Sequence, residues 1–134
     1  MPSSSPGPLH TVLIVEPDTA AREALRTMLQ ARGYRILDTA DGLTAWQLLS
    51  THRDLIHLLI TEATLPGLGG GILVELAREL WPQLPVLVLS AAPENTLARS
   101  FPALQERSFL KKPFRRDDLL ATLEALLPPS ETPS

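Results

Sequence analysis

Short apolar runs alternate along this chain with longer stretches in which apolar residues recur every three or four positions. Runs of the first kind predict strands that are covered on both faces, and stretches of the second kind predict amphipathic helices. The predicted strands are 11–15, 34–37, 56–61, 86–89 and 108–111, and the predicted helices are 18–32, 43–51, 73–80, a weaker one over 96–105, and 115–127. Such alternation is typical of an α/β domain with a parallel sheet.

Glycine and proline residues separate these predicted elements. Pro82 ends the third helix, Pro128-Pro129 ends the last one, and Pro102 predicts a break or kink inside the weaker helix over 96–105. The Gly69–Gly71 run lacks the lysine and hydroxyl of a phosphate-binding loop. We predict that it is a flexible loop before the third helix.

Polar residues follow the predicted strands at their carboxyl ends, where open parallel sheets place their ligand sites. We therefore expect the side chains there to converge on one pocket. They are Glu16, Asp18, Glu62, Ser90 and Lys112. Phosphoryl chemistry on a carboxylate needs such a set, because one carboxylate acts as nucleophile, a lysine and a hydroxyl bind the transferred oxygens, and further carboxylates hold magnesium.

Length and composition describe one globular domain. A chain of 134 residues with 44% hydrophobic and 20% charged residues buries a core of ordinary size. We predict a folded domain over 10–127, with flexible tails rich in proline and serine over 1–9 and 128–134. The net charge of -3 and the lack of lysine or arginine runs argue against a nucleic-acid surface.

Several kinds of site are excluded or disfavoured by the same composition. No cysteine is present, which excludes disulfides and thiolate chemistry, and His10, His52 and His57 are isolated and show no zinc-binding spacing. No apolar run approaches the ~20 residues of a membrane span, and the N-terminus has no signal-peptide pattern. We therefore predict a cytoplasmic protein with neither membrane nor nucleic acid as a partner.

Five sequence motifs, in their order along the chain, resemble those of the receiver domain of bacterial response regulators over about residues 10 to 127. The motifs that carry the resemblance are LIVEPDTAAREAL, ADGLTAW, LLITEATLPGLGG, PVLVLSA and FLKKPF. The resemblance implies a three-layer, flavodoxin-like α/β fold with a doubly wound, five-stranded parallel sheet in the order 2-1-3-4-5. It also implies a signalling module of a two-component or phosphorelay pathway rather than an enzyme.

The resemblance assigns roles to individual residues. Lys112 matches the invariant lysine, Ser90 the switch hydroxyl, Phe109 the aromatic residue that rotates on activation, and Glu16 the first member of the acidic pair. Two positions depart from the family pattern: Pro17 stands where the second acidic residue supplies a magnesium ligand, and Glu62 stands where the phosphoacceptor is an aspartate.

These departures predict an impaired site. Proline has no side-chain oxygen, so magnesium loses a ligand, and Asp18 lies one residue too far along to replace it unless the loop is re-routed. Glu62 carries its carboxylate one methylene farther from the backbone, which misaligns an in-line attack. We expect weakened magnesium binding, with Glu16, Asp18 and Glu62 as weak candidate ligands, no other cofactor, and little or no ordinary phosphorylation.

We hypothesise that Glu62 partly mimics the phosphorylated state through an ion pair with Lys112, within reach of Ser90. An ion pair that is merely structural is the alternative for the same geometry. Two other functions stay open: a true phosphoacceptor that uses Glu62 or Asp18 with magnesium, and a small flavodoxin-fold ligand binder. The expected partners are a histidine kinase, another regulator or an output protein, and a homodimer is possible.

Overall fold

The computed structural model describes residues 10–92, 97, 99–102, 104–105 and 108–127. Its strands and helices are β1 (Thr11–Val15), α1 (Thr19–Gln30), β2 (Arg35–Thr39), α2 (Gly42–Thr51), β3 (Leu58–Glu62), α3 (Gly70–Leu80), β4 (Val86–Ser90), β5 (Phe109–Lys111) and α4 (Arg116–Leu126). The predicted tails 1–9 and 128–134 lie outside the described residues, as does part of the predicted helix over 96–105. None of the described helices has the length and apolar composition needed to cross a bilayer.

The strands form one parallel sheet in the order β2-β1-β3-β4-β5, which confirms the predicted fold. The register brings the carboxyl ends of the strands to one edge. Val15 lies opposite both Thr39 and Thr61, and Ser90 lies opposite Lys111. Residues that end or follow the strands are therefore neighbours in space although they are far apart in sequence.

The hydrophobic core lies on both faces of the sheet, because successive strand side chains point to opposite faces. On one face, the strand residues that pack with α2 and α3 are Leu13, Val15, Leu59, Val86 and Val88. On the other face, those that pack with α1 and α4 are Val12, Ile14, Leu58, Ile60, Leu87 and Leu89. Burial on both faces explains why the central strands read as continuous apolar runs.

Two strands differ from their predicted bounds by two residues at one end, and β4 and β5 differ by one residue. β2 continues to Thr39, because Asp38 and Thr39 pair with Ile14 and Val15 although both are polar. β2 lies at the edge of the sheet and is less buried than the central strands, so its ladder tolerates polar side chains. β3 begins at Leu58 instead of residue 56 and ends at Glu62.

The prediction of a flexible loop at Gly69–Gly71 was wrong, because Gly70 and Gly71 lie inside α3. The start of α3 approaches the end of β3 closely. A Cβ atom on Gly70 would lie 2.6 Å from the carbonyl oxygen of Ala63 and 2.7 Å from that of Glu62, whereas one on Gly69 would meet nothing within 4 Å. Gly70 therefore permits the backbone contact that places Glu62 beside α3.

We expect Gly70→Ala to lower the free energy of unfolding by about 1 to 3 kcal/mol, because the added methyl group meets backbone oxygens that have little freedom to move. Gly69→Ala is the control without a close contact; Gly69 is the N-cap of α3, so alanine there should cost only the N-cap preference, about 0.5 kcal/mol. Urea unfolding of both variants measures the difference. Equal stabilities would contradict the close approach of α3 to β3.

Candidate functional site

Four of the predicted site residues are anchored at the carboxyl edge of the sheet. Glu62 and Ser90 are the last residues of β3 and β4, and Glu16 and Lys112 directly follow β1 and β5. The backbone N–H of Glu16 donates to the carbonyl of Thr39 (3.0 Å), and that of Lys112 donates to the carbonyl of Ser90 (2.9 Å). The sheet itself therefore fixes where these side chains begin.

Glu16, Glu62 and Lys112 form a cluster that we call the strand-end triad. The Nζ atom of Lys112 lies 3.0 Å from Oε1 of Glu16 and also forms an ion pair with Oε2 of Glu62. The side chains are 4% exposed for Glu16, 15% for Glu62 and 30% for Lys112. One ammonium thus serves two largely buried carboxylates.

Backbone and side-chain contacts hold Glu16 in place. Its Oε2 atom accepts a hydrogen bond from the N–H of Asp18 (3.1 Å), and its carbonyl accepts one from Nη1 of Arg22 (2.8 Å). Arg22 also approaches the carboxylate of Asp38, with 3.8 Å between Nε and Oδ2. No sequence pattern singles out Arg22, because its contact with Glu16 depends on how α1 packs beside β1 and β2.

Asp18 contributes its backbone to the triad and its side chain to α1. Its carboxylate accepts a hydrogen bond from the N–H of Ala21 (2.8 Å) and so caps the first turn of the helix. The contact between Asp18 and Glu16 runs through the Asp18 N–H and not through the carboxylate. The Asp18 carboxylate is therefore already used as a cap, beside the triad and not within it.

Ser90 and Phe109, the other two predicted site residues, are engaged outside the triad. Ser90 is buried, and its hydroxyl oxygen accepts a hydrogen bond from the N–H of Ala92 (2.9 Å). Among the hydrogen bonds of the described residues, none joins Ser90 to Glu62. Phe109 packs edge-on against Phe101, with ring centroids 5.9 Å apart. Lys112 is thus the predicted partner that Glu62 contacts directly.

The pKa values of Glu62 and Lys112 are both raised, but for different reasons. Burial raises the pKa of Glu62, Lys112 opposes this shift, and the nearby carboxylate of Glu16 adds to it. Burial favours loss of the Lys112 proton, but contacts with Glu62 and Glu16 outweigh it and raise the Lys112 pKa. Lys112 therefore stays an ammonium, while Glu62 takes up a proton more readily than an exposed glutamate.

The residues present do not fit a magnesium ion. Magnesium needs octahedral oxygen ligands at about 2.0–2.1 Å. Pro17 offers no side-chain oxygen, and Oε1 of Glu16 and Oε2 of Glu62 already contact Lys112. Within the ranges that the structure covers, no group of three or more His, Cys, Asp or Glu side chains is arranged to hold a metal ion.

His10 and His57 lie at the other end of the sheet, and the prediction that they are isolated was wrong. Their ring centroids are 5.2 Å apart in an edge-on arrangement, and Nδ1 of His57 accepts a hydrogen bond from the N–H of Thr11 (2.9 Å). Burial and the neighbouring His57 lower the pKa of His10. The pair packs at the amino end of β1, far in the fold from the triad.

The chain is similar to a known protein family and to individual proteins that contain such a domain. The sequence profile of the response regulator receiver domain matches residues 12–124. The sensor kinase CckA of Brucella abortus is 29% identical over 117 residues, which are 87% of this chain and 12% of that protein. The response regulator MprA of Mycobacterium ulcerans is 31% identical over 118 residues, which are 87% of this chain and 49% of that protein. The chain thus spans less than half of either curated relative.

Solved structures share the fold. A putative response regulator from Chloroflexus aurantiacus superimposes with a TM-score of 0.79 at 30% identity, and the match covers 89% of this chain and 98% of that one. The chemotaxis response regulator CheY4 of Vibrio cholerae gives a TM-score of 0.78 at 25% identity, covering 90% and 100% of the two chains. Both matches extend over nearly the whole of the domain described above.

We expect the free energy of unfolding to fall as the pH rises above the ordinary glutamate pKa of 4.5. A raised pKa means that the folded state binds the Glu62 proton more tightly than the unfolded chain. The stabilisation from this proton is therefore present at low pH and is lost as the pH rises through the raised pKa. Urea unfolding between about pH 4 and pH 8 measures this slope.

Glu62→Gln should remove that part of the slope, because glutamine does not titrate. Glu124→Gln is the control, since the side chain of Glu124 is 62% exposed on α4 and lies outside the triad. An unchanged slope in Glu62→Gln would contradict the raised Glu62 pKa.

Proposed function

The chain belongs to the response-regulator receiver family, and on that premise we propose that it signals by binding partner proteins and does not undergo ordinary phosphoryl transfer. The observation that supports this most directly is the ion pair between Lys112 and Glu62, with Glu16 on the same ammonium. In this proposal the strand-end triad replaces the site at which a phosphorylated receiver would carry its phosphoryl group.

Charge opposes phosphorylation at this site. The triad already holds two carboxylates against one ammonium, and a phosphoryl group would bring further negative charge into a pocket of low exposure. Phosphoryl transfer depends on cations that neutralise the transferred oxygens. Pro17 stands in place of a magnesium ligand and Lys112 is already paired, so among the described residues the triad supplies no second cation.

The position of the Glu62 carboxylate also opposes phosphorylation. The attacking oxygen must lie close to and in line with the phosphorus. Oε2 of Glu62 is buried and forms the ion pair with Lys112, and the side chain is one methylene longer than aspartate. An attack through this oxygen would first have to break the ion pair.

The same ion pair supports phosphoryl mimicry by Glu62. The carboxylate brings negative charge to Lys112, the residue that would bind a phosphoryl oxygen in a phosphorylated receiver. The hydroxyl oxygen of Ser90 accepts a hydrogen bond from the N–H of Ala92 and not from Glu62, so the mimicry depends on the contact with Lys112 alone. The proposal is therefore a receiver held partly in a signalling state by its own side chain, independent of a phosphodonor.

The partners that fit this role are a histidine kinase, another regulator or an output protein. Receiver units occur both in a sensor kinase and in a response regulator among the relatives. The family's usual contact face uses the helix over 96–105, which lies partly outside the described residues. A homodimer, a cytoplasmic location and the domain limits 10–127 stay predictions.

We expect the wild-type chain to gain no phosphoryl mass when it is incubated with a small phosphodonor and MgCl2. The double variant Pro17→Asp/Glu62→Asp should gain one phosphoryl group, because it adds a magnesium ligand and shortens the acceptor side chain. Intact-mass spectrometry measures both. Glu62→Asp alone shows whether the shorter acceptor is sufficient.

One outcome would overturn this proposal in favour of a true phosphoacceptor. A phosphoryl group on the wild-type chain that disappears in Glu62→Gln would identify Glu62 as the acceptor. Loss in Asp18→Asn instead would identify Asp18. A nucleotide or coloured cofactor retained through purification would favour the ligand-binding alternative.

We expect Glu62→Gln to weaken binding to the signalling partner at least fivefold, which corresponds to about 1 kcal/mol. Glutamine keeps the size of the side chain but removes the charge that pairs with Lys112. Titration calorimetry with a histidine kinase or regulator that binds the wild-type chain measures this affinity. Unchanged affinity in a folded Glu62→Gln variant would show that the ion pair is structural only.

A further inference from the structure

The carboxylates of the strand-end triad have few oxygens left for an external ion. Three of their oxygens are engaged: Oε1 of Glu16 and Oε2 of Glu62 by Lys112, and Oε2 of Glu16 by the N–H of Asp18. Both carboxylates contact the same nitrogen atom. A single cation at that point therefore reaches both, and Lys112 supplies it.

We propose that the Lys112 ammonium is the resident cation of this pocket, occupying the position between Glu16 and Glu62 that a divalent ion would need. The wild-type chain then does not respond to Mg²⁺, and replacing this one ammonium by a neutral side chain lets the two carboxylates bind a divalent ion. The inference rests on the proposed function, since it gives the reason why the site is uncoupled from magnesium.

A tethered ammonium competes well against a free ion. Lys112 is fixed by the backbone hydrogen bond from its N–H to Ser90, so its side chain stays at high effective concentration beside both carboxylates. Mg²⁺ must in addition shed part of its tightly held water shell before it binds. The pocket, with few free oxygens, offers little to replace that water.

The charge of the triad changes sharply when the ammonium is removed. Glu16 is 4% exposed and Glu62 15%, so solvent screens their repulsion only in part. Without Lys112 Nζ, two carboxylates face each other in a pocket with no compensating charge. A divalent ion would satisfy both, and Glu16 is already oriented for it by the N–H of Asp18.

Thermal unfolding of the full chain in about 10 mM MgCl2, compared with NaCl of equal ionic strength, tests this inference. Lys112→Met keeps the length of the side chain and removes its charge. Its unfolding midpoint should rise by about 3 °C or more in MgCl2. The wild type and Lys112→Arg, which keeps a cation, should shift by less than about 1 °C.

The double variant Lys112→Met/Glu62→Gln is the matched control, and its response to MgCl2 should disappear. A wild-type response that is lost in Glu16→Gln would overturn the inference, and so would a folded Lys112→Met variant that ignores MgCl2. A second measurement needs no variant: the ¹⁵N signal of Lys112 Nζ in the wild type should not move when MgCl2 is added. A shift of that signal at constant ionic strength would also overturn the inference.

The two proposals fail separately in these experiments. The metal response is measured without a phosphodonor, and phosphorylation is measured by mass. If Lys112→Met does not respond to MgCl2 and the wild type is not phosphorylated, only the inference about Lys112 is wrong. If the wild type is phosphorylated, the proposed function is wrong, regardless of how the Lys112 variants respond to MgCl2.

Discussion

A single ammonium between two carboxylates determines what the carboxyl edge of this sheet can do. Lys112 pairs with Glu16 and Glu62, whose side chains are largely buried, so its charge is needed by both. Removing one partner from a buried ion pair leaves an uncompensated charge, which typically costs 3–5 kcal/mol in fully buried pairs. Lys112 is 30% exposed, so solvent reduces that figure here. The same contacts, with the N–H of Asp18, engage both oxygens of Glu16 and one oxygen of Glu62.

The triad depends on the fold around it. The parallel register brings β1, β3 and β5 to one edge, and the apolar faces of the sheet hold that register, because a slip by one residue would turn buried side chains toward the wrong layer. Gly70 lets α3 approach the end of β3, and Arg22 fixes the carbonyl of Glu16. The site is thus assembled by contacts between residues that are distant in sequence.

Those distant contacts also explain where sequence analysis succeeded and where it did not. The apolar runs predicted five strands, and the resemblance supplied their order and the meeting of Glu62 with Lys112. Local patterns did not predict that Gly70 and Gly71 belong to α3, because their close neighbours are distant in sequence: residues 62 and 63 for Gly70 and Ser100 for Gly71. Arg22 and the contact between His10 and His57 were missed for the same reason, since packing alone brings their partners together.

The measurement that tests the central claim most directly is an NMR titration that follows the carboxyl carbon of Glu62 and the Nζ signal of Lys112 together. Burial raises the pKa of Glu62 above its ordinary 4.5 although Lys112 opposes this shift, so Glu62 should titrate above 4.5. Because the two groups form an ion pair, the Lys112 signal should change over the same pH range. A Glu62 carboxyl that titrates at its ordinary value while the Lys112 signal stays constant would contradict the account.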